Sequence, residues 1–174
     1  NALLNRLYAR IKADPGKCLR ILTALSLQRP QTSSALEEAF LRPFTDRVFG
    51  NYPELDYVTD LRKQSLPANV EVSEFFLKSG DYLRNDYAQR QYMATHYTHA
   101  ARDMLLQGVN VVAQAVAVRE RNGIKEYSLS CNPDVTLDLL PLFAATGTQV
   151  FRVLVINREL PFMENDAIAN LDLV

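Results

Sequence analysis

A chain of 174 residues with 48% hydrophobic content suits one domain with a sizeable core and excludes a disordered polymer. A formal net charge of −1 gives no electrostatic basis for binding nucleic acid or an acidic membrane surface. No apolar run approaches the roughly 20 residues of a spanning helix, no secretory signal is read, and Cys18 and Cys131 form no metal or redox spacing, so a reduced, cytoplasmic setting is expected.

The first element is helical. Leu3, Leu4, Leu7, Tyr8 and Ile11 form one stripe over residues 2–13, with Asn1 as a cap and Asp14-Pro15-Gly16 as the stop. Residues 18–27, CLRILTALSL, read as a strand covered on both faces. Ser34-Ala35-Leu36-Glu37 has the form of a capping box. Leu36, Phe40, Leu41, Phe44 and Val48 then follow at helical spacing, with a kink or restart expected at Pro43 and a stop at Gly50. Residues 51–68 read as irregular. The alternation of Val70 and Val72 with Glu71 and Ser73 predicts a strand over 69–77, with Ser79-Gly80-Asp81 at its carboxyl end.

Residues 87–107 hold the longest helical pattern, ended by Gly108. The run 109–117 reads as a strand buried on both faces, 119–121 as a solvated turn with Asn122-Gly123, and 126–130 as a second strand. Asp134 is placed to cap a helix over 135–145, kinked at Pro141 and ended by Gly147. Residues 149–156 complete the set as a strand. This alternation predicts an α/β fold, a single domain over 1–174 with a mainly parallel open sheet flanked by helices. Ligands bind beyond the carboxyl ends of strands in such sheets. Gln114, Ser128, Ser130, Asn132 and Asn157 are the polar groups expected along that crevice, with Gly80 bringing backbone close to a ligand.

Several stretches together resemble the acetyl-CoA hydrolase/transferase family of the coenzyme A transferase superfamily. They are LTALSL (22–27), SALEEAFLRPFTDRVFGNYPELDYVTDLR (34–62), VEVSEFFLKSG (70–80), GVNVVAQ (108–114), YSLSCNPDVTLDLLP (127–141) and LVINRELPFM (154–163). Gln114, Gly123, Ser128, Leu129 and Ser130 match its most characteristic local pattern, and Ile156-Asn157 with Pro161 matches its Val-Asn…Pro. The resemblance implies a coenzyme A transferase-like fold of two related α/β halves with the active site between them. It implies an enzyme that moves coenzyme A between carboxylates or hydrolyses acetyl-CoA or another short acyl-CoA, through a glutamyl-CoA thioester. The nucleophilic glutamate would lie in the second half, and the Gly-rich segment of the family upstream of Asn1. The chain is thus expected to be the first half of a longer enzyme, cut at both ends and inactive by itself. Coenzyme A enters as substrate, and the partners are acyl-CoA, a carboxylate or water, and the second half. Apolar surface left by that half would favour self-association.

Other constellations weigh less. His96, His99 and Asp103 share a helix face at metal-like spacing, but the neighbouring stripe reads as core and no metal is expected. Cys131 beside a strand end, with His96 or His99 as base, would make a self-contained thioesterase; nothing in the local sequence marks it as an activated nucleophile. Glu126 and Glu159 read as solvated carboxylates. A non-catalytic regulatory module that binds acyl-CoA or a nucleotide is the alternative reading.

Overall fold

The computed structural model describes residues 1–131 and 133–164, which form two compact units divided between Ala94 and Thr95. The expected Asn132 lies outside the described residues.

In the first unit, α1 (Ala2–Lys12) lays Tyr8 and Ile11 into the core. Asn1 does not cap it through its side chain. Instead the Asn1 and Asn5 amides donate to the carbonyls of Pro53 (2.6 Å) and Glu54 (2.7 Å), tying α1 to the chain entering α3 (Asp56–Arg62). Residues 56–62 are therefore helical, not irregular. One face, Tyr57, Val58 and Leu61, is buried. Seven residues are too few for a period to stand out between two prolines.

β1 (Leu19–Thr23) and β2 (Val70–Glu74) pair in parallel, from Leu19 opposite Val70 to Thr23 opposite Glu74. Between them runs α2 (Ala35–Phe49). Ser34 accepts from the Glu37 amide at 3.2 Å, while the Glu37 carboxylate turns to the amide and hydroxyl of Ser33, one residue earlier than a capping box requires. The helix continues through Pro43, which is exposed, so that solvent serves the carbonyl it leaves unpaired.

The helix expected over 87–107 is broken. Asn85 caps a short α4 (Asp86–Arg90) through a 2.9 Å bond from Ala88, and α5 begins only at Tyr97. Residues 91–96 leave the helical path because the Met93 amide completes the end of β2, donating to the Glu74 carbonyl at 3.0 Å. A tertiary hydrogen bond here outweighs local propensity.

The second unit holds α5 (Tyr97–Leu106), β3 (Val111–Arg121), β4 (Ile124–Ser128), α6 (Thr136–Thr146) and β5 (Phe151–Ile156). The sheet order is β4-β3-β5, with β5 parallel and β4 antiparallel to β3. Residues 119–121 are thus strand, not turn. Arg119 faces Glu126 across the ladder and bonds it at 2.6 Å. The hairpin closes on Asn122 and Gly123 alone, both at positive φ (53° and 78°), the conformation of a type I′ turn whose twist matches that of the strands. Gly147, at φ 66°, ends α6 as expected.

The fold is mixed α/β, built on two small open sheets in which two of the three strand pairings are parallel. No helix among the described residues is long and apolar enough to cross a membrane.

Gly123→Val forces a β-branched residue to positive φ and is expected to cost about 1–2 kcal/mol in urea denaturation. An unchanged midpoint would show that the hairpin does not depend on this turn.

Candidate functional site

Polar groups gather at strand ends in each unit. In the first, Val70, Val72 and Glu74 point to the same, buried face of β2, because side chains alternate along a strand. A carboxyl thus occupies the third inward position. Glu74 is 3% exposed. Its Oε1 accepts from the amide of Ser26 at 3.2 Å and from the Ser26 hydroxyl, while Oε2 is buried with no partner among the described residues. The Ser26 hydroxyl also meets the Tyr57 hydroxyl at 2.5 Å. Outward, Gln28 donates to Tyr82 (3.3 Å) and accepts from Arg62 (2.5 Å), and Arg62 pairs with Asp81 at 2.8 Å while lying over the Tyr82 ring.

Burial raises the Glu74 carboxyl above the ordinary range of a glutamate, against the lowering effects of the Ser26 bonds and the Arg62 charge. Burial likewise raises the hydroxyls of Tyr57 and Tyr82, and the nearby Glu74 charge adds to both. Burial in this cluster therefore disfavours the ionised form of Glu74 relative to a solvated glutamate. Gly80, at φ 84°, sits in the turn that delivers Asp81 to Arg62. Sequence reasoning selected Gly80 and passed over Glu74, Ser26 and Tyr57. The available signal was an acid in phase with the buried valines of an alternating strand.

In the second unit, Ser128 and Ala117 are cross-strand partners, and Asn157 donates its amide to the Val116 carbonyl at 2.9 Å. Ser128 and Asn157 thus flank β3 at one level. From Asn157 the chain passes over Arg119, whose guanidinium lies 4.1 Å from the Phe162 ring centre. It then reaches Ser128, which is fully buried, donates to the Met163 carbonyl (2.7 Å) and accepts from the Met163 amide (3.1 Å). Ser130, at φ 59°, donates to the Pro161 carbonyl at 2.8 Å. Residues 157–163 form a strap stitched to the end of β4 by two serines.

Gln114 is not part of this group. Directly paired residues share a face, so Ser128 lies with Ala117 on the odd-numbered face of β3 and Gln114 on the other. There its Oε1 accepts from Thr136 of α6 at 2.6 Å. Of the expected binding residues, Ser128, Ser130 and Gln114 are engaged in internal hydrogen bonds. Asn157 is exposed, its Oδ1 accepting from the Glu159 amide at 3.0 Å and its Nδ2 left without a partner among the described residues.

The remaining candidates are dispersed. The His96 and His99 rings lie 4.5 Å apart, with His96 turned to the Thr98 hydroxyl, and no group of three or more His, Cys, Asp or Glu among the described residues is placed to hold a metal ion. Cys131 is exposed, with only the Ser130 hydroxyl near its sulfur, at 3.8 Å. A depression of about 240 Å³ between α3, the turn before β2 and α4 is lined by Leu61, Leu66, Val70 and Tyr87, and contains none of the residues expected from sequence. Searches against protein-family models, curated proteins and solved structures found no match to this chain.

The two clusters yield separate expectations. Because the Glu74 pKa is raised on folding, its contribution to stability is fully present below the ordinary glutamate range and is lost as pH rises through the raised value. Thermal unfolding from acid to neutral pH should show that loss in the wild type, and Glu74→Gln should remove it and melt higher at neutral pH. A lower melting temperature for Glu74→Gln than for the wild type at neutral pH would contradict a carboxyl whose ionisation the fold disfavours. Ser128→Ala strands the Met163 amide and should cost about 1–3 kcal/mol. Hydrogen exchange over 157–163 should accelerate selectively, and unaltered exchange there would count against the strap being held by Ser128.

Proposed function

We propose that this chain is part of an acyl-CoA hydrolase or coenzyme A transferase and supplies one wall of its site. The observation that carries the reading is where the family-like stretches lie. LTALSL and VEVSEFFLKSG run side by side as β1 and β2 and join through Ser26 and Glu74, and Tyr57 and Arg62 come from the 34–62 stretch. GVNVVAQ and LVINRELPFM pair as β3 and β5, and the strap from the latter binds the serines of YSLSC. Stretches distant in sequence thus converge on two groups of polar side chains at strand ends, where α/β proteins bind ligands.

In this reading the nucleophile is a glutamate on a second, related α/β half. Its carboxylate attacks the thioester carbonyl and expels the coenzyme A thiolate, giving a mixed anhydride. The thiolate then attacks the glutamyl carbonyl, releasing the acyl group as a carboxylate and leaving a glutamyl-CoA thioester. A carboxylate acceptor completes transfer, and water completes hydrolysis. The residues of this chain orient the substrate. Asn157 offers its Nδ2 to an acyl or pantetheine carbonyl, and Ser128 and Ser130 hold the strap that presents it. The mainly parallel, coenzyme A transferase-like architecture belongs to this same proposal.

Titrated with acetyl-CoA, this chain should bind saturably in calorimetry and release no free thiol, and Asn157→Ala should weaken binding about threefold to tenfold. Thiol release by this chain alone, or no binding at all, would overturn the reading.

A further inference from the structure

The outer face of α2 is apolar from end to end and touches little. Leu36 and Phe40 are 82% and 81% exposed, and Phe44 and Val48 are also exposed, while Phe49 on the opposite side is buried. The four residues recur at every fourth position, so they form a single ridge along a helix roughly 22 Å long. A solvated helix would carry polar residues here.

The ridge is also self-complementary. Turned end for end about Arg42, it sets Leu36 opposite Val48 and Phe40 opposite Phe44. The same operation sets Glu37 opposite Arg47. At roughly 100° per residue these two charges flank the ridge on the contact face, whereas Glu38, Arg42 and Asp46 point away from it. Arg47 is exposed and has no ion pair among the described residues. Antiparallel pairing therefore buries aromatic against aromatic at the centre and brings opposite charges together twice, once at each end. That symmetry is what a two-fold interface between identical chains requires.

We infer that α2 is a self-association surface, on which a second copy of this chain packs antiparallel through Leu36, Phe40, Phe44 and Val48, with Glu37 of each copy facing Arg47 of the other. The inference does not depend on coenzyme A chemistry. It fails or stands on the oligomeric state of this chain alone.

Sedimentation equilibrium across the micromolar to millimolar range should show a monomer–dimer equilibrium. Phe40→Asp should abolish the dimer while circular dichroism remains unchanged, because the ring is outside the core. Arg47→Glu should raise the dimer dissociation constant about tenfold by creating two like-charge contacts. Adding Glu37→Arg to that variant should restore wild-type affinity. A monomer at every concentration would mean that another occupant covers the ridge and would overturn the inference. So would a dimer indifferent to Phe40→Asp, or failure of the double reversal to restore association.

Discussion

A strand that stops inside a protein leaves amide and carbonyl groups that must find partners, and this requirement organises both units. The first unit meets it with Met93, whose amide completes β2 at Glu74, and with the Glu74 carboxyl, which accepts the Ser26 amide beyond the end of β1. In the second unit it is met by Ser128 and Ser130, which take up the amide and carbonyls of a strap arriving from β5. The polar residues at the strand ends are there first because the backbone needs them. Any ligand chemistry is added to groups already holding the chain together.

This double duty separates the candidate residues. Ser128 and Gln114 are buried and their hydrogen bonds are internal, so each positions other parts of the fold. Asn157 differs because it is exposed and its oxygen serves the backbone while its nitrogen has no partner among the described residues. Glu74 is the less ordinary case. Its Oε1 is saturated by Ser26 while Oε2 is enclosed without a partner among the described residues, and an ionised carboxylate in that state would carry a desolvation cost of several kcal/mol. Burial raises the hydroxyls of Tyr57 and Tyr82 in the same direction, so the whole cluster resists negative charge.

Besides the exposed ridge of α2, the sheet of the second unit is only half covered. On β3 the strap covers the odd-numbered face near Ala117, yet Val111, Ala113 and Ala115 on the same face remain exposed. Strands in parallel pairing are normally covered on both sides. Apolar surface of this extent is stable in water only at a cost that association reduces.

Local chemistry determined much of the chain. The extents of α1 and α2, the glycine stop of α6 and the existence of all five strands follow from periodicity, caps and turn residues, which act within a few positions of themselves. The sequence also placed polar groups at strand ends, since Ser, Asn and Gly there have few other uses. Tertiary structure decided the rest. Whether residues 91–96 stay helical depends on a bond to Glu74, and whether 119–121 is turn or strand depends on Glu126 lying opposite Arg119. The direction of β4 was fixed by a two-residue turn. The face on which Gln114 lies, and therefore its separation from Ser128, depends on register. The stripe of α2 reads identically whether it faces a core or solvent. Periodicity reports which residues share a face, and only the packing of distant segments determines what that face meets.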